Sequence, residues 1–463
     1  MNKFGQNTDQ PAVYFNKLYM KNVRCFKGNH EIDLGNGKGE PSQWTVILGN
    51  NNVGKTTILR SISIFETKSL YKKEEGNKIK IPKKDNGFDR FDPYGMESNY
   101  ISFNEDLLFL GVQTVVNNKE IFNILNKDNK EKFAHFKNKD IILNKVKSFQ
   151  NEIISTFLYT FKGKSFVMDG LENVNPINLF GYGINRVMQE IQSTQSRNIE
   201  GLFDNKTLLL NVEEWLKELF FAANNKNEQA EVRYKQVENI LCGGLLPEVT
   251  GIRITTIPDK SSFETFPEFL TSQGWVRLED LGYGYQATLA WVADLAKRMF
   301  DQYPDLENPL HGPAVVLVDE IDLHLHPEWQ RKIIKYLSDL FPNTQFIVTA
   351  HSPLIIQSAE NVNLIMLEKD DNPDGKGINI RQRFGSFQGW TIDEILTELM
   401  NMGDRTRSDL YLQLMEDFEN AVLDDDYEKA QNAYNQLDTI LSPSSYQRKV
   451  LQIQMSSLIP IGV

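Results

Sequence analysis

Residues Gly49 to Thr57 read Gly-Asn-Asn-Asn-Val-Gly-Lys-Thr-Thr, and no other stretch of this chain leaves so few folds open. The pattern is glycine, four residues, glycine, lysine, threonine. The apolar run "WTVILG" precedes it, and "TTILRSISIFE" follows with apolar positions suited to one face of a helix. Strand, glycine loop and helix in that order open an α/β unit. Each position has a physical task. Gly49 and Gly54 let the backbone curl, so that the N–H groups of Asn50, Asn51, Asn52 and Val53 can point at one centre. Lys55 adds a point charge there. Thr56 adds a hydroxyl fit for a magnesium ion, and the helix entered through Thr57 adds its positive end. Such a loop is suited to the phosphates of a nucleotide, with ATP and Mg2+ the expected pair.

A second stretch fits the same chemistry. "VVLVDEIDLHLHP", from Val315 to Pro327, carries a buried-strand pattern into Asp319 and Glu320. An aspartate at such a strand end can reach Thr56 or its magnesium. The neighbouring Glu320 points to the other side of the strand and can take a proton from a water attacking the terminal phosphate. Two adjacent carboxylates there are costly unless a cation neutralises one. His351 follows a further apolar run, "TQFIVTA", where an imidazole can contact the same phosphate or water. His324 and His326 have no third partner for a metal and read as turn and helix-start residues, with Asp322 in the same turn.

A third stretch is odd. Leu281-Gly282-Tyr283-Gly284-Tyr285-Gln286 puts two glycines just before an apolar helical pattern that runs from about Thr288. Either the turn offers backbone N–H groups to something negative, or it is an ordinary loop before a helix.

The remaining composition narrows the setting. The formal net charge of -12 argues against a surface coated in positive charge for nucleic acid, though not against a local basic groove. Residues 68–90 hold eight basic and four acidic side chains, and residues 117–147 hold eight lysines against four acids. Lys137, Lys139, Lys145 and Lys147 are the candidate nucleic-acid surface, against the plainer reading of a solvated lysine-rich face. The acidic segment Glu416 to Glu428 reads as a solvated face. Cys25 and Cys242 are too far apart for a metal-like spacing and suggest a reducing compartment. The start lacks a signal-type apolar core, and no window reaches 18 apolar residues, so a cytoplasmic protein without a membrane span is expected.

The expected organisation is an α/β fold divided by helical insertions. Residues 1–66 form the first part of a nucleotide-binding lobe. Residues 67–150 are a Lys/Asn-rich insertion of partly helical character, and 151–207 return to the core. Residues 208–246 are a helical insertion, 247–388 complete the lobe, and 389–463 are a helical C-terminal region with a two-helix hairpin.

Taken in order, these motifs resemble the ABC-type ATPase family, in particular its prokaryotic members related to structural-maintenance-of-chromosomes and OLD-type ATPases. The resemblance makes the fold an ABC-type P-loop NTPase head with helical insertions and a helical C-terminal region. "NVRCFKG", Asn22 to Gly28, looks like the N-terminal strand motif of that group, which implies a nucleotide contact for Arg24. Gly49 to Thr56 corresponds to the Walker A loop, and Val315 to Glu320 to the Walker B strand with Glu320 as base. Asp319 and Thr56 would hold the metal, Asp322 falls in the D-loop, and His351 is the switch histidine. Leu281, Gly282, Gly284 and Gln286 sit where the signature motif belongs, which implies a contact with the nucleotide of a second subunit. The family usually has serine where this chain has Gly282. Losing that hydroxyl donor would weaken a closed state by about 1.5–3 kcal/mol and implies slow or partner-dependent hydrolysis.

More narrowly, "LFGYGINR", "LLNVEEWLKELFF" and "DDDYEKAQNAYNQL" are similar to the ATPases of bacterial anti-phage systems, the PtuA family of the Septu system above all, with PARIS-type and retron-associated ATPases close by. That resemblance implies a homodimer or higher homo-oligomer, an HNH nuclease partner and possible contact with DNA. Two other functions remain open: an ATPase of DNA repair or recombination, and an ATP-bound scaffold that restrains a toxic effector.

Overall fold

The computed structural model describes residues 13–63 apart from Gly39, three strands between 107 and 168, residues 178–188, and residues 198–458 apart from 247, 260–261 and 370–376. Lys137, Lys139, Lys145 and Lys147 lie outside the described residues. The chain divides into two compact units, Met1–Gly389 and Trp390–Val463.

The first unit starts with β1 (Val13–Val23), β2 (Phe26–Asp33), β3 (Trp44–Gly49), α1 (Lys55–Ser63), β4 (Leu107–Val116), β5 (Glu152–Phe161), β6 (Lys164–Met168) and β7 (Leu179–Tyr182). It continues with α2 (Val212–Asn224), α3 (Glu228–Ile240), β8 (Gly251–Asp259), β9 (Ser262–Thr271), β10 (Gly274–Arg277) and α4 (Tyr283–Gln302). β11 (Ala314–Val318), β12 (Thr344–Thr349), β13 (Val362–Lys369) and β14 (Ile378–Gly385) follow.

The central sheet has the order β14-β13-β3-β12-β11-β7. All its pairings are parallel except β13 with β14. Every residue of β11 and of β12 is buried. That explains their nearly unbroken apolar sequences: both faces are covered, so neither face alternates with polar residues. The parallel register brings the carboxyl ends of β3, β12 and β11 side by side. In a parallel sheet this is where strand ends open into loops and a ligand crevice forms.

A second sheet, β2-β1-β4-β5-β6, is antiparallel throughout. Sequence patterning anticipates β1, β2 and the return over β5 and β6. It misses β4, whose largely apolar "LLFLGVQTVV" lies inside a segment read as a Lys/Asn-rich insertion of partly helical character. Pairing with β1 makes it a strand. A third sheet, β10-β9-β8, contains another unanticipated strand: β9 carries Pro267 and mixed polarity, so only its partners on both sides reveal it.

Side-chain amides, two of them buried, join the first two sheets. Gln345 on β12 accepts from the Phe15 N–H at 2.9 Å and donates to the Phe15 carbonyl at 2.7 Å and the Leu34 carbonyl at 3.3 Å. Asn363 and Gln382 donate to the Asp33 carbonyl at 2.7 and 2.8 Å. Around them Phe15, Leu18, Phe26 and Ile32 of the antiparallel sheet share one core with Ile47, Ile58, Leu317 and Ile347.

The second unit contains helices Asp409–Leu423, Tyr427–Ile440 and Tyr446–Ser457, one more than the expected hairpin. Each begins with a side-chain cap, from Ser408, Asp426 and Ser445. Phe418, Ala430, Leu437 and Leu451 fill its core.

Gln345 provides the test of the sheet-to-sheet joint. Gln345→Leu keeps the size but strands the Phe15 N–H and carbonyl in a dry interior, and should cost about 3 kcal/mol. The urea midpoint of unfolding, at unchanged slope, reads this loss.

Candidate active site

The phosphate-type loop leaves β3 at Gly49, whose φ is +150°. A Cβ there would lie 2.6 Å from Val53 Cγ2 and 2.7 Å from the Leu367 carbonyl oxygen. Gly54, at φ +97°, faces the β1–β2 turn, and a Cβ would lie 2.6 Å from both Cys25 Sγ and the Phe26 ring. The two glycines are therefore required by backbone geometry and by close packing together. Asn52 also takes a positive φ, 65°. Val53 is buried, and its carbonyl accepts from the Cys25 thiol at 3.7 Å. Arg24, at φ +52°, lies in the same turn beside the loop. The "NVRCFKG" stretch thus forms one wall of the loop.

Lys55 is 8% exposed and donates to the Gly49 carbonyl at 2.6 Å and the Asn50 carbonyl at 3.1 Å. Burial lowers its pKa, while Glu320, Asp319 and Asp322 pull it back up. The lysine thus faces the acidic strand end while folded onto its own loop.

The strand end itself is tightly bonded. Thr56 Oγ1 donates to Asp319 Oδ2 at 2.6 Å, across 263 residues of chain. Thr349 Oγ1, at the end of β12, donates to Asp319 Oδ1 at 2.6 Å and accepts from the Glu320 N–H at 2.6 Å. Asp319 is 5% exposed, so both its oxygens need these donors. Glu320 has φ +51°, a left-handed conformation that a glutamate enters only when its surroundings hold it there, at a cost of about 1–3 kcal/mol. Its carboxylate lies 3.8 Å from His351 Nε2. Asp322 Oδ2 accepts from the His351 N–H at 2.9 Å, which fixes the histidine backbone to the same turn. Residues from three separate stretches of sequence, 49–57, 319–322 and 349–351, therefore meet in one place.

The Leu281–Gln286 turn differs from its expected form. Helix α4 begins at Tyr283, not near Thr288, so Gly284 lies in its first turn. Gly282 is the residue before the helix and has no side-chain cap. Gln286 Nε2 folds back to the Leu281 carbonyl at 2.7 Å and the Glu279 carbonyl at 3.3 Å. Gly284 is a glycine for a reason within its own chain: a Cβ would collide with the His324 carbonyl oxygen. His324 has φ +64°, and its ring meets Tyr283 edge-on at 4.9 Å. The start of α4 is thus packed directly on the turn that carries Glu320 and Asp322.

Two residues of this site escape sequence reasoning. Thr349 is one threonine at the end of an apolar strand, and its role depends on β12 lying beside β11. Arg186, in "GYGINR", is 4% exposed and donates to the carbonyls of both Asp319 and Glu320. Its only signal is a basic residue shortly after a buried strand, and it matters because β7 pairs with β11.

Packing at α4 generates a paired test. Gly284→Ala should cost about 1–3 kcal/mol, because the helix start must move off the His324 carbonyl. At Gly282 a Cβ would meet only Tyr285, at 3.6 Å. Gly282→Ser should therefore stay within about 0.5 kcal/mol of the parent. Urea denaturation of both variants separates a packing requirement from a flexible loop, in which the two would behave alike.

Comparison with known proteins places the chain in a family. A sequence profile described as an AAA ATPase domain matches residues 14–356. The Septu protein PtuA of Bacillus thuringiensis is 32% identical over 256 residues, 52% of this chain and 60% of that protein. The Retron Ec83 probable ATPase of Escherichia coli is 36% identical over 148 residues, 32% of this chain and 26% of that one. A Septu protein PtuA of Bacillus mycoides (strain KBAB4) is 26% identical over 390 residues, 83% of this chain and 44% of that protein. The chain thus spans at most 60% of the length of these curated relatives. A solved SMC head bound to the C-winged helix domain of ScpA aligns loosely, with a TM-score of 0.44 and 16% identity over 82% of this chain and 100% of that one. With the profile covering well over half of its length, the chain belongs to the AAA ATPase domain family, as a mixed α/β P-loop NTPase head with an ATP-binding domain.

Proposed function

We propose that this chain is an ABC-type ATPase subunit of an anti-phage defence complex, which binds ATP with magnesium and hydrolyses it slowly or under a partner's control. The observation that carries the chemistry is the hydrogen-bonded series Thr56–Asp319–Thr349–Glu320. It ties the phosphate loop to the strand-end acids through bonds of 2.6 Å each. The names Septu protein PtuA and Retron Ec83 probable ATPase support the biological setting.

In this reading Lys55 turns from its own loop carbonyls to the outer phosphates, where an anion repays its burial. The donor set for a divalent ion is a threonine hydroxyl and a carboxylate, the oxygen chemistry magnesium prefers. Among the described residues no group of three or more His, Cys, Asp and Glu side chains could hold a metal. That suits an ion that takes most of its ligands from phosphate and water. Magnesium would neutralise phosphate charge there. Glu320 would accept the proton of the attacking water, with His351 beside it to orient that water.

The signature residues Leu281, Gly282, Gly284 and Gln286, with Asp322, would complete the site of a second copy in a homodimer or higher oligomer. An HNH nuclease is the proposed partner, and the lysines at 137, 139, 145 and 147 the proposed DNA contact. Among the described residues no helix is long and apolar enough to cross a membrane. A second reading, an ATP-bound scaffold restraining a toxic partner, is favoured by Gly282, which offers no hydroxyl to a terminal phosphate.

Lys55→Ala should reduce ATP affinity by about a hundredfold or more, through loss of charge-assisted bonds to the phosphates. Wild-type affinity in a radiolabelled ATP binding assay would sink the proposal. Glu320→Gln should bind ATP normally and release phosphate at least about a hundredfold more slowly. Chelation with EDTA should stop release in the parent. A parent that binds ATP and never releases phosphate, with or without a nuclease partner, decides for the scaffold.

A further inference from the structure

Arg186 is a buried cation whose hydrogen bonds among the described residues go to backbone carbonyls. Its Nε donates to the Gly183 carbonyl at 3.1 Å, and Nη2 donates to the carbonyls of Asp319 and Glu320, the latter at 2.8 Å. An enclosed charge is expensive, and an apolar side chain would fill such a space at lower cost. Burial brings its pKa down to about 10, while Asp319, Asp322, Glu320 and Tyr283 act to raise it. The guanidinium therefore stays charged at neutral pH, held by the same acids that face Lys55.

The two carbonyls it grips bracket the point where β11 becomes a turn and Glu320 takes φ +51°. That conformation needs holding. One hold is the Glu320 N–H bond to Thr349, and Arg186 supplies another from the carbonyl side. The same guanidinium lies 5.9 Å from the centre of the Trp291 ring on α4. Tyr182 stacks obliquely on Trp291 at 5.5 Å and donates to the buried Asp294 at 2.9 Å. Asp294 also accepts from Arg298 at 2.6 Å and from the Leu210 N–H at 3.2 Å, just before α2 begins. Backbone at Asp319–Glu320, helix α4 and the entry to the inserted helices are thus joined through the short segment 182–186.

We infer that Arg186 is a positioning residue for Glu320: it fixes the peptide carbonyls on both sides of the Glu320 Cα, and it makes the aim of Glu320 depend on where α4 sits. This rests on the ATPase reading and adds a means of control to it. A partner that shifts α4 or the inserted helices would change hydrolysis without touching the phosphate loop.

The test compares the full-length parent with R186M, R186K, E320Q and R186M/E320Q. R186M should bind a fluorescent ATP analogue within about threefold of the parent while its phosphate release falls about a hundredfold. R186K, which keeps the charge and one donor, should recover about tenfold of that loss. In the E320Q background R186M should change the residual rate by less than about threefold, because both changes disable the same group. Hydrogen exchange reads the contact without turnover: amides of residues 319–322 should exchange at least about tenfold faster in R186M, with ATP still protecting residues 49–58. Equal loss in the two backgrounds, ATP affinity falling with rate, or unchanged exchange at 319–322 would each overturn the inference. If R186M does not fold, R186K decides by the same exchange measurement. A parent that binds no ATP overturns the ATPase reading instead, and the exchange comparison still decides whether Arg186 holds the turn.

Discussion

The Asp319 carboxylate is the point on which the site depends. It is almost fully buried, and each oxygen accepts a hydroxyl from a different element: Thr56 at the start of α1 and Thr349 at the end of β12. Buried carboxylates are tolerated only when such donors satisfy them. Here satisfying one group also fixes the phosphate loop against two neighbouring strand ends. Thr349 then extends the fix to the Glu320 backbone. Removing the central carboxylate would leave two hydroxyls and a loop without a common anchor.

The site is charged on both sides of this anchor. Lys55 and Arg186 face the acids from opposite chain segments, and burial lowers the pKa of each. Lys55 occupies its own loop carbonyls, whereas Arg186 occupies those of the strand end. The first set of bonds can be exchanged for an anionic ligand. The second holds backbone, so its natural consequence is rigidity at Glu320. These are different uses of buried positive charge, and the distinction follows from what each donor touches.

The contact between Gly284 and His324 changes how the glycine-rich turn is understood. As a sequence it reads either as a turn that offers backbone N–H groups to an anion or as an ordinary loop before a helix. In the fold it is the first turn of α4, pressed against the turn that bears Asp322 and follows Glu320. Any ligand that engages the start of α4 therefore acts on a surface already connected to the turn of Glu320 and Asp322. The antiparallel sheet is joined less conspicuously, by Gln345, Asn363 and Gln382, whose amides satisfy backbone groups of β1 and β2.

The sequence by itself determined the phosphate loop, the acidic strand end, the buried strands β3, β11 and β12, and the helices of α1, of residues 208–246 and of the C-terminal region. Those signals are local: glycine geometry, apolar runs and fixed spacing need no knowledge of the rest of the chain. Tertiary structure alone decided what lies beside them. β4 and β9 are strands because partners pair with them, and Thr349 and Arg186 matter because β12 and β7 flank β11. The start of α4 at Tyr283 was settled by packing, since a glycine that weakens a helix in isolation is the residue that lets this one approach the His324 carbonyl. Sheet order and close approach are long-range properties, and a one-dimensional pattern carries no direct record of them.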